Sequence, residues 1–195
     1  MKLANLDFSQ TYTYADYLNW DFDERVELIK GKIFELSPAP AASHQIIAGK
    51  MHLKFGSFLE NSETCKVFFA PYDVRLPIKS KKDKDIYTVV QPDLCVVCDP
   101  AKRDERGCIG APDIVVEILS PSNNKKELKN KYEVYEESGV KEYWVVIPSE
   151  KAITIYVLVD GKYITTRPLF AGDIATSTVL PGFKLDVGNV FEFTM

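Results

Sequence analysis

Histidine and tryptophan are scarce in this chain, with two of each among 195 residues. Positive charge is in deficit: 24 Lys and Arg stand against 28 Asp and Glu, a formal net charge of −4. That balance argues against a broad basic face coating a polyanion, though it leaves room for a local basic groove beside an acidic site. Two histidines, both near one predicted helix, give little support to a hydrolase built on a nucleophile–base pair. No apolar run approaches the ~20 residues that span a bilayer. The opening MKLANLDFSQTYTYADY has no continuous apolar stretch and carries Asp7 and Asp16, unlike a secretion signal. A cytoplasmic protein without a membrane partner is expected, and its four cysteines are expected to stay free thiols. Cys95 and Cys98 have CxxC spacing, but positions i and i+3 of an extended segment face opposite ways. Val-Val between them is no knuckle turn, so structural zinc is not expected.

The length suits one domain, 1–195, with a real core. A short helix or a pre-helical segment is predicted over 11–20 and a hairpin over 26–36 turning at Gly31. Ser37-Pro38-Ala39-Pro40 ends the hairpin. Ser43 then reads as the N-cap of a helix to about Leu59, with Ile46, Ile47, Met51, Leu53, Phe55 and Phe58 near helical spacing. Strands are predicted at 65–70, 72–77, 86–90, 93–97 and 113–119. A solvated lysine-rich loop covers 79–85 and a plain loop 99–110. After the turn signal SPSNN comes a helix at 125–138 closed by Gly139, then strands at 143–147, 153–159 and 163–166 and short strands toward the C-terminus. Tyr132, Tyr143 and Trp144 sit where a helix packs on a sheet and read as core before base-stacking surface.

The most informative segments are QPDLCVV at 91–97 and APDIVVEILSPS at 111–122, each a Pro-Asp pair opening a β-branched run. Glu117 interrupts the second run among Ile114, Val115, Val116, Ile118 and Leu119. A carboxylate buried in such company is costly unless a cation compensates it. Asp113 lies four residues away, roughly 13 Å along a strand, too far to share an ion with it. Asp93 is the better partner, because neighbouring strands lie only ~4.8 Å apart. Two carboxylates, a main-chain carbonyl such as that of Ile118, and water suit Mg²⁺ or Mn²⁺. Lys131, with Tyr135 one turn on, lies on the following helix and is the candidate to orient water or stabilise a phosphate.

Asp93 in PD, Glu117 in VVEILSPS, and KELKNKYEVYEESGVKEYWVVIP, together with RVELIKGKIFELSPAP and His44, resemble the Uma-two family of the PD-(D/E)XK restriction-endonuclease-like superfamily. The likeness runs from Arg25 to about Pro148. It implies an α/β fold: a restriction-endonuclease-like mixed central β-sheet flanked by helices, with additional N- and C-terminal strands. It also implies a metal-dependent endonuclease acting on phosphodiester bonds, with DNA as the expected nucleic acid and a homodimer as the expected assembly. By resemblance Asp93 and Glu117 are the acidic pair. The superfamily's usual lysine would fall at Leu119, which cannot serve, and the matching lysine is Lys131. Glu27 matches a recurrent acidic position and is either a further ligand or water holder, or a hairpin surface residue. His44 matches a helix-start histidine, usually structural because the helix dipole there disfavours the charged form, and is kept as a possible site contributor. His52 has no motif around it. Lys79–Lys84, Lys125, Lys126 and Lys129 are the natural phosphate contacts if the chain binds DNA. The alternative is a nuclease-fold module with negligible turnover that binds nucleic acid or a protein partner.

Overall fold

In a computed structural model of the chain, the described residues are 3–36, 41–120 and 125–193, the side chains of 125–127 excepted. The predicted helix at 11–20 narrows to one turn, α1 (Tyr14–Tyr17), closed by a capping box between Thr13 and Asp16. The hairpin β1 (Val26–Ile29) and β2 (Lys32–Glu35) turns at Lys30 and Gly31, both at positive φ. Gly31 has no substitute there, since a Cβ would stand 2.3 Å from Thr11 Cγ2. Next come α2 (Ala42–Leu59), β3 (Lys66–Phe69), β4 (Val74–Arg75), β5 (Val89–Val90), β6 (Leu94–Val97), β7 (Arg103–Asp104), β8 (Gly107–Ile109) and β9 (Ile114–Ile118). The order closes with α3 (Lys125–Ser138), β10 (Glu142–Ile147), β11 (Ala152–Val159), β12 (Lys162–Thr165), β13 (Ile174–Thr176), β14 (Lys184–Asp186) and α4 (Val187–Phe191). Residues 37–40 and 121–124, which carry the expected Ser37–Pro40 break and most of SPSNN, lie outside the described residues, as do the side chains of Lys125 and Lys126.

The central sheet has the order β12-β11-β10-β9-β6-β3. It is mixed: β9 and β10 run parallel and the other neighbours antiparallel. Parallel neighbours need a crossover, and α3 supplies it. A second sheet, β2-β1-β5-β4-β8-β7, gathers the N-terminal strands with short ones from the middle of the chain, and β13 and β14 pair separately. The stretch 99–110, expected to be plain loop, therefore contributes β7 and β8. Strands of two or three residues are too short to show a period.

Alternation along β9 divides the core. Ile114, Val116 and Ile118 join Ile47, Met51 and Phe55 of α2 on one face of the central sheet. Val115 joins Val134 and Tyr135 of α3 and Ile29 of β1 on the other. Tyr143 and Trp144 are buried as core, as expected. Three details of α2 differ from the sequence reading. Its N-cap position is Ala41, which offers no side-chain bond, so Ser43 lies inside the helix. Leu53 and Phe58 face outward, and Leu59 takes the buried place instead.

The cysteines also differ. Cys65 and Cys98 are joined by a disulfide, while Cys95 and Cys108 are free and buried. The β3–β6 register pairs Lys66 with Val97, which sets Cys65 opposite Cys98 across 33 residues of sequence. Cys95 packs in the α3-side core and Cys98 against the α2-side core, so the two do face opposite ways. No helix among the described residues is long and apolar enough to cross a membrane.

Glu142, the acid of GVKEYW, is fully buried at the start of β10. Its carboxylate accepts from Trp144 Nε1 (2.9 Å), Ser177 Oγ (2.9 Å), Thr178 N and Oγ1, and Val179 N (3.2 Å). It pins the 177–179 segment to the sheet. Glu142→Ala strands these donors, and a loss of about 3 kcal/mol is expected in urea unfolding.

Candidate functional site

The β6–β9 register, Leu94 with Val116 and Cys95 with Val115, places Asp93 opposite Glu117 when continued by one residue. The expected neighbour relation of the two Pro-Asp segments is thus present in the fold. Asp93 Oδ2 accepts from the Ile118 main-chain N–H at 2.7 Å, and Oδ1 stands 3.2 Å from His44 Nε2. The N–H and C=O of one strand residue point to the same neighbouring strand, so the Ile118 carbonyl belongs to this end of the sheet too.

On the α3 side, Lys131 Nζ reaches Glu117 Oε1 at 2.9 Å and Glu27 Oε1 at 3.1 Å. Tyr135 OH donates to the same Glu117 oxygen at 2.7 Å. Lys131 and Tyr135 are one turn apart on α3, so both reach inward together. Glu27 arrives from β1, where Val26 and Leu28 face the N-terminal core and Glu27 and Ile29 face α3. It is 1 % exposed, which removes the hairpin-surface reading. Gln91 N donates to Glu27 Oε1 at 2.7 Å, and Glu27 Oε2 is buried with no hydrogen-bond partner.

The electrostatics follow from burial. Loss of water pushes the Glu117 carboxyl up to about 7; Lys131 opposes this, while Asp93 and Glu27 add to it. Burial also pulls at the Lys131 ammonium, but Glu117 and Glu27 outweigh it and hold the group well above its ordinary value. The hydrogen bond to Asp93 raises His44, against burial and with help from the Ile118 backbone. The helix-dipole argument that would keep His44 neutral is therefore overridden by a carboxylate in contact. His52 stands apart, edge-on to Phe69 at 4.7 Å between ring centres. Asp113 is, as expected, no partner of Glu117: it accepts from Cys98 N and pairs with Lys141. Lys79, Lys81, Lys82 and Lys84 are exposed, and exposed Lys129 lies 3.8 Å from Glu133.

Among the described residues, no three His, Cys, Asp or Glu side chains meet closely enough to hold an ion by themselves. The charges nonetheless fail to balance. Glu117 and Glu27 share one ammonium, Asp93 beside them meets only the His44 imidazole and the Ile118 N–H, and one Glu27 oxygen is buried without a partner. Hard oxygen donors with an excess of negative charge fit a divalent cation.

The sequence profile of the Uma2 family, described as "Putative restriction endonuclease", matches residues 14–188. The chain belongs to the Uma2 family. An uncharacterized protein of Synechocystis sp. is 26 % identical over 144 residues, 72 % of this chain and 71 % of that one. A crystal structure from Anabaena variabilis, described as a "putative nuclease belonging to DUF820", superimposes with a TM-score of 0.72 at 19 % identity, covering 92 % of this chain and 97 % of the other. The restriction-endonuclease-like α/β fold inferred from the Uma2 resemblance agrees with that likeness. Tyr135, Gln91 and His44 complete the cluster. Tyr135 was signalled by its i+4 spacing from Lys131 and His44 by the resemblance, whereas Gln91 had no signal.

Proposed function

We propose that this Uma2 protein is a metal-dependent endonuclease that hydrolyses phosphodiester bonds in DNA. The observation that carries the reading is the convergence of Asp93, Glu117 and Lys131, from two adjoining strands and the helix after them, at one end of the central sheet. In this reading Asp93, Glu117 and the Ile118 carbonyl hold Mg²⁺ or Mn²⁺, which when bound polarises a phosphoryl oxygen and acidifies a water. His44 orients Asp93 through Oδ1, as supporting partners of metal ligands do. Lys131 and Tyr135 fix Glu117 through one oxygen and leave Oε2 for the cation. The Lys131 ammonium also sets positive charge beside the phosphate as its charge develops. Glu27 holds Lys131 from the other side. A homodimer, which would present two such sites to two strands, is part of the same proposal.

A second reading is a module that binds nucleic acid or a protein without turnover. The observation favouring it is that Lys131 is only 4 % exposed and already shared between two carboxylates. Nicking of supercoiled plasmid with Mg²⁺ or Mn²⁺, and none with EDTA, is the expected result for the enzyme. Absence of cleavage across DNA and RNA substrates, with binding retained, would establish the module instead.

A further inference from the structure

Substrate DNA is a polyanion, and the site just described is rich in carboxylates on a chain of net charge −4. A phosphodiester approaching it needs a cation at the rim that is not already neutralised. Several described cations are taken. Lys30 lies against Glu133 and Glu137, Arg75 pairs with Asp104, Arg106 with Asp83, and Lys131 is shared inside.

Arg25 is different. It is exposed, and among the described residues no carboxylate lies within ion-pair distance of it. Its guanidinium donates instead to a neutral acceptor, Gln91 Oε1, from Nε at 3.2 Å and Nη2 at 2.6 Å. Two of its five N–H groups are used in this way. The Nη1–Nη2 edge, the fork that matches two phosphate oxygens, remains.

Its place is fixed from two directions. The β1–β2 ladder continues through Arg25, whose carbonyl accepts from Leu36 N at 2.9 Å. Alternation therefore puts Arg25 on the same face as Glu27, about 6.7 Å along the strand. Gln91 stands two residues before Asp93, and its main-chain N–H donates to Glu27. Its side-chain orientation is dictated, because Nε2 donates to Asp73 Oδ1 at 2.9 Å and Tyr17 OH at 3.2 Å. Only the oxygen is left to face Arg25.

We propose that Arg25 grips a backbone phosphate of the substrate beside the scissile bond, with Gln91 as the positioning residue that presents its free edge. This rests on the nuclease reading above. Steady-state nicking of plasmid by the full chain with Mn²⁺, at several KCl concentrations, tests it. For Arg25→Ala, KM is expected to rise about tenfold with kcat little changed, and the slope of log(kcat/KM) against log[salt] to shrink by about one, as for one lost phosphate contact. Arg25→Lys keeps the charge, so its salt slope should stay at the wild-type value while KM rises severalfold for want of the fork. Gln91→Leu should likewise raise KM with the slope intact. Thermal melts check folding, and Arg25→Lys carries the test if the alanine variant melts early. Wild-type KM and salt slope in both Arg25 variants would overturn the assignment and leave the nuclease reading standing. A wild type that never nicks would remove both.

Discussion

Glu117→Ala is expected to abolish metal-dependent nicking, and Asp93→Asn to do the same, each by about 10³-fold or more. A cation's charge stabilisation is worth several kcal/mol, and each 1.36 kcal/mol is a factor of ten. Calorimetric titration should show Mn²⁺ affinity collapsing in parallel, since each variant removes a hard anionic oxygen from the pair set opposite each other by the β6–β9 register. Neither change should unfold the protein. Asp93 is in part open to solvent, and loss of Glu117 relieves a carboxylate that burial and its two acidic neighbours already disfavour. Residual nicking equal to wild type in Glu117→Ala would mean that the activity came from a contaminant.

Lys131→Met should act on the fold itself. The ammonium is the cation held between Glu27 and Glu117, and all three side chains are buried. Removing it leaves two carboxylates facing each other out of water, a cost of about 3–5 kcal/mol. At 2–4 °C per kcal/mol for a chain of this size, a Tm loss of roughly 10 °C follows. Glu27→Gln added to Lys131→Met removes one of the stranded charges and should recover much of that loss, a non-additivity that scanning calorimetry reads directly. A Lys131→Met variant melting within a degree of wild type would show that the buried triad is not what holds β1 against α3.

How far the site could be read in advance differs residue by residue. Glu117 was visible because a carboxylate inside a β-branched run is a local contradiction, and the contradiction marks a site. Asp93 was visible as the opening of the neighbouring run, and the pairing of those two strands sets it opposite Glu117, where Asp113 does not reach. Lys131 was named from its place two turns into the following helix, with Tyr135 at i+4, and the resemblance supported that choice. Glu27 was ambiguous: alternation says that it shares a face with Ile29 but not that α3 covers that face. His44, usually structural at a helix start but kept as a possible contributor, was hard to place for the same reason, because its partner Asp93 is 49 positions later. The Cys65–Cys98 bond lay equally out of reach, since it depends on the register of an edge strand.

Apolar period and turn chemistry were enough to establish an order of helices and strands, the long helices, the two runs that carry the acids and the hairpin at Gly31, because these are properties of neighbours along the backbone; the α/β fold itself was implied by the resemblance. The division into two sheets, the closing of Glu27 and Glu117 on Lys131, and the holding of Arg25 by Gln91 were decided only in three dimensions. Each depends on which strand lies beside which and on what is shut away from water. A one-dimensional pattern carries the preference of a side chain for burial or solvent, but not the identity of the group it will meet there.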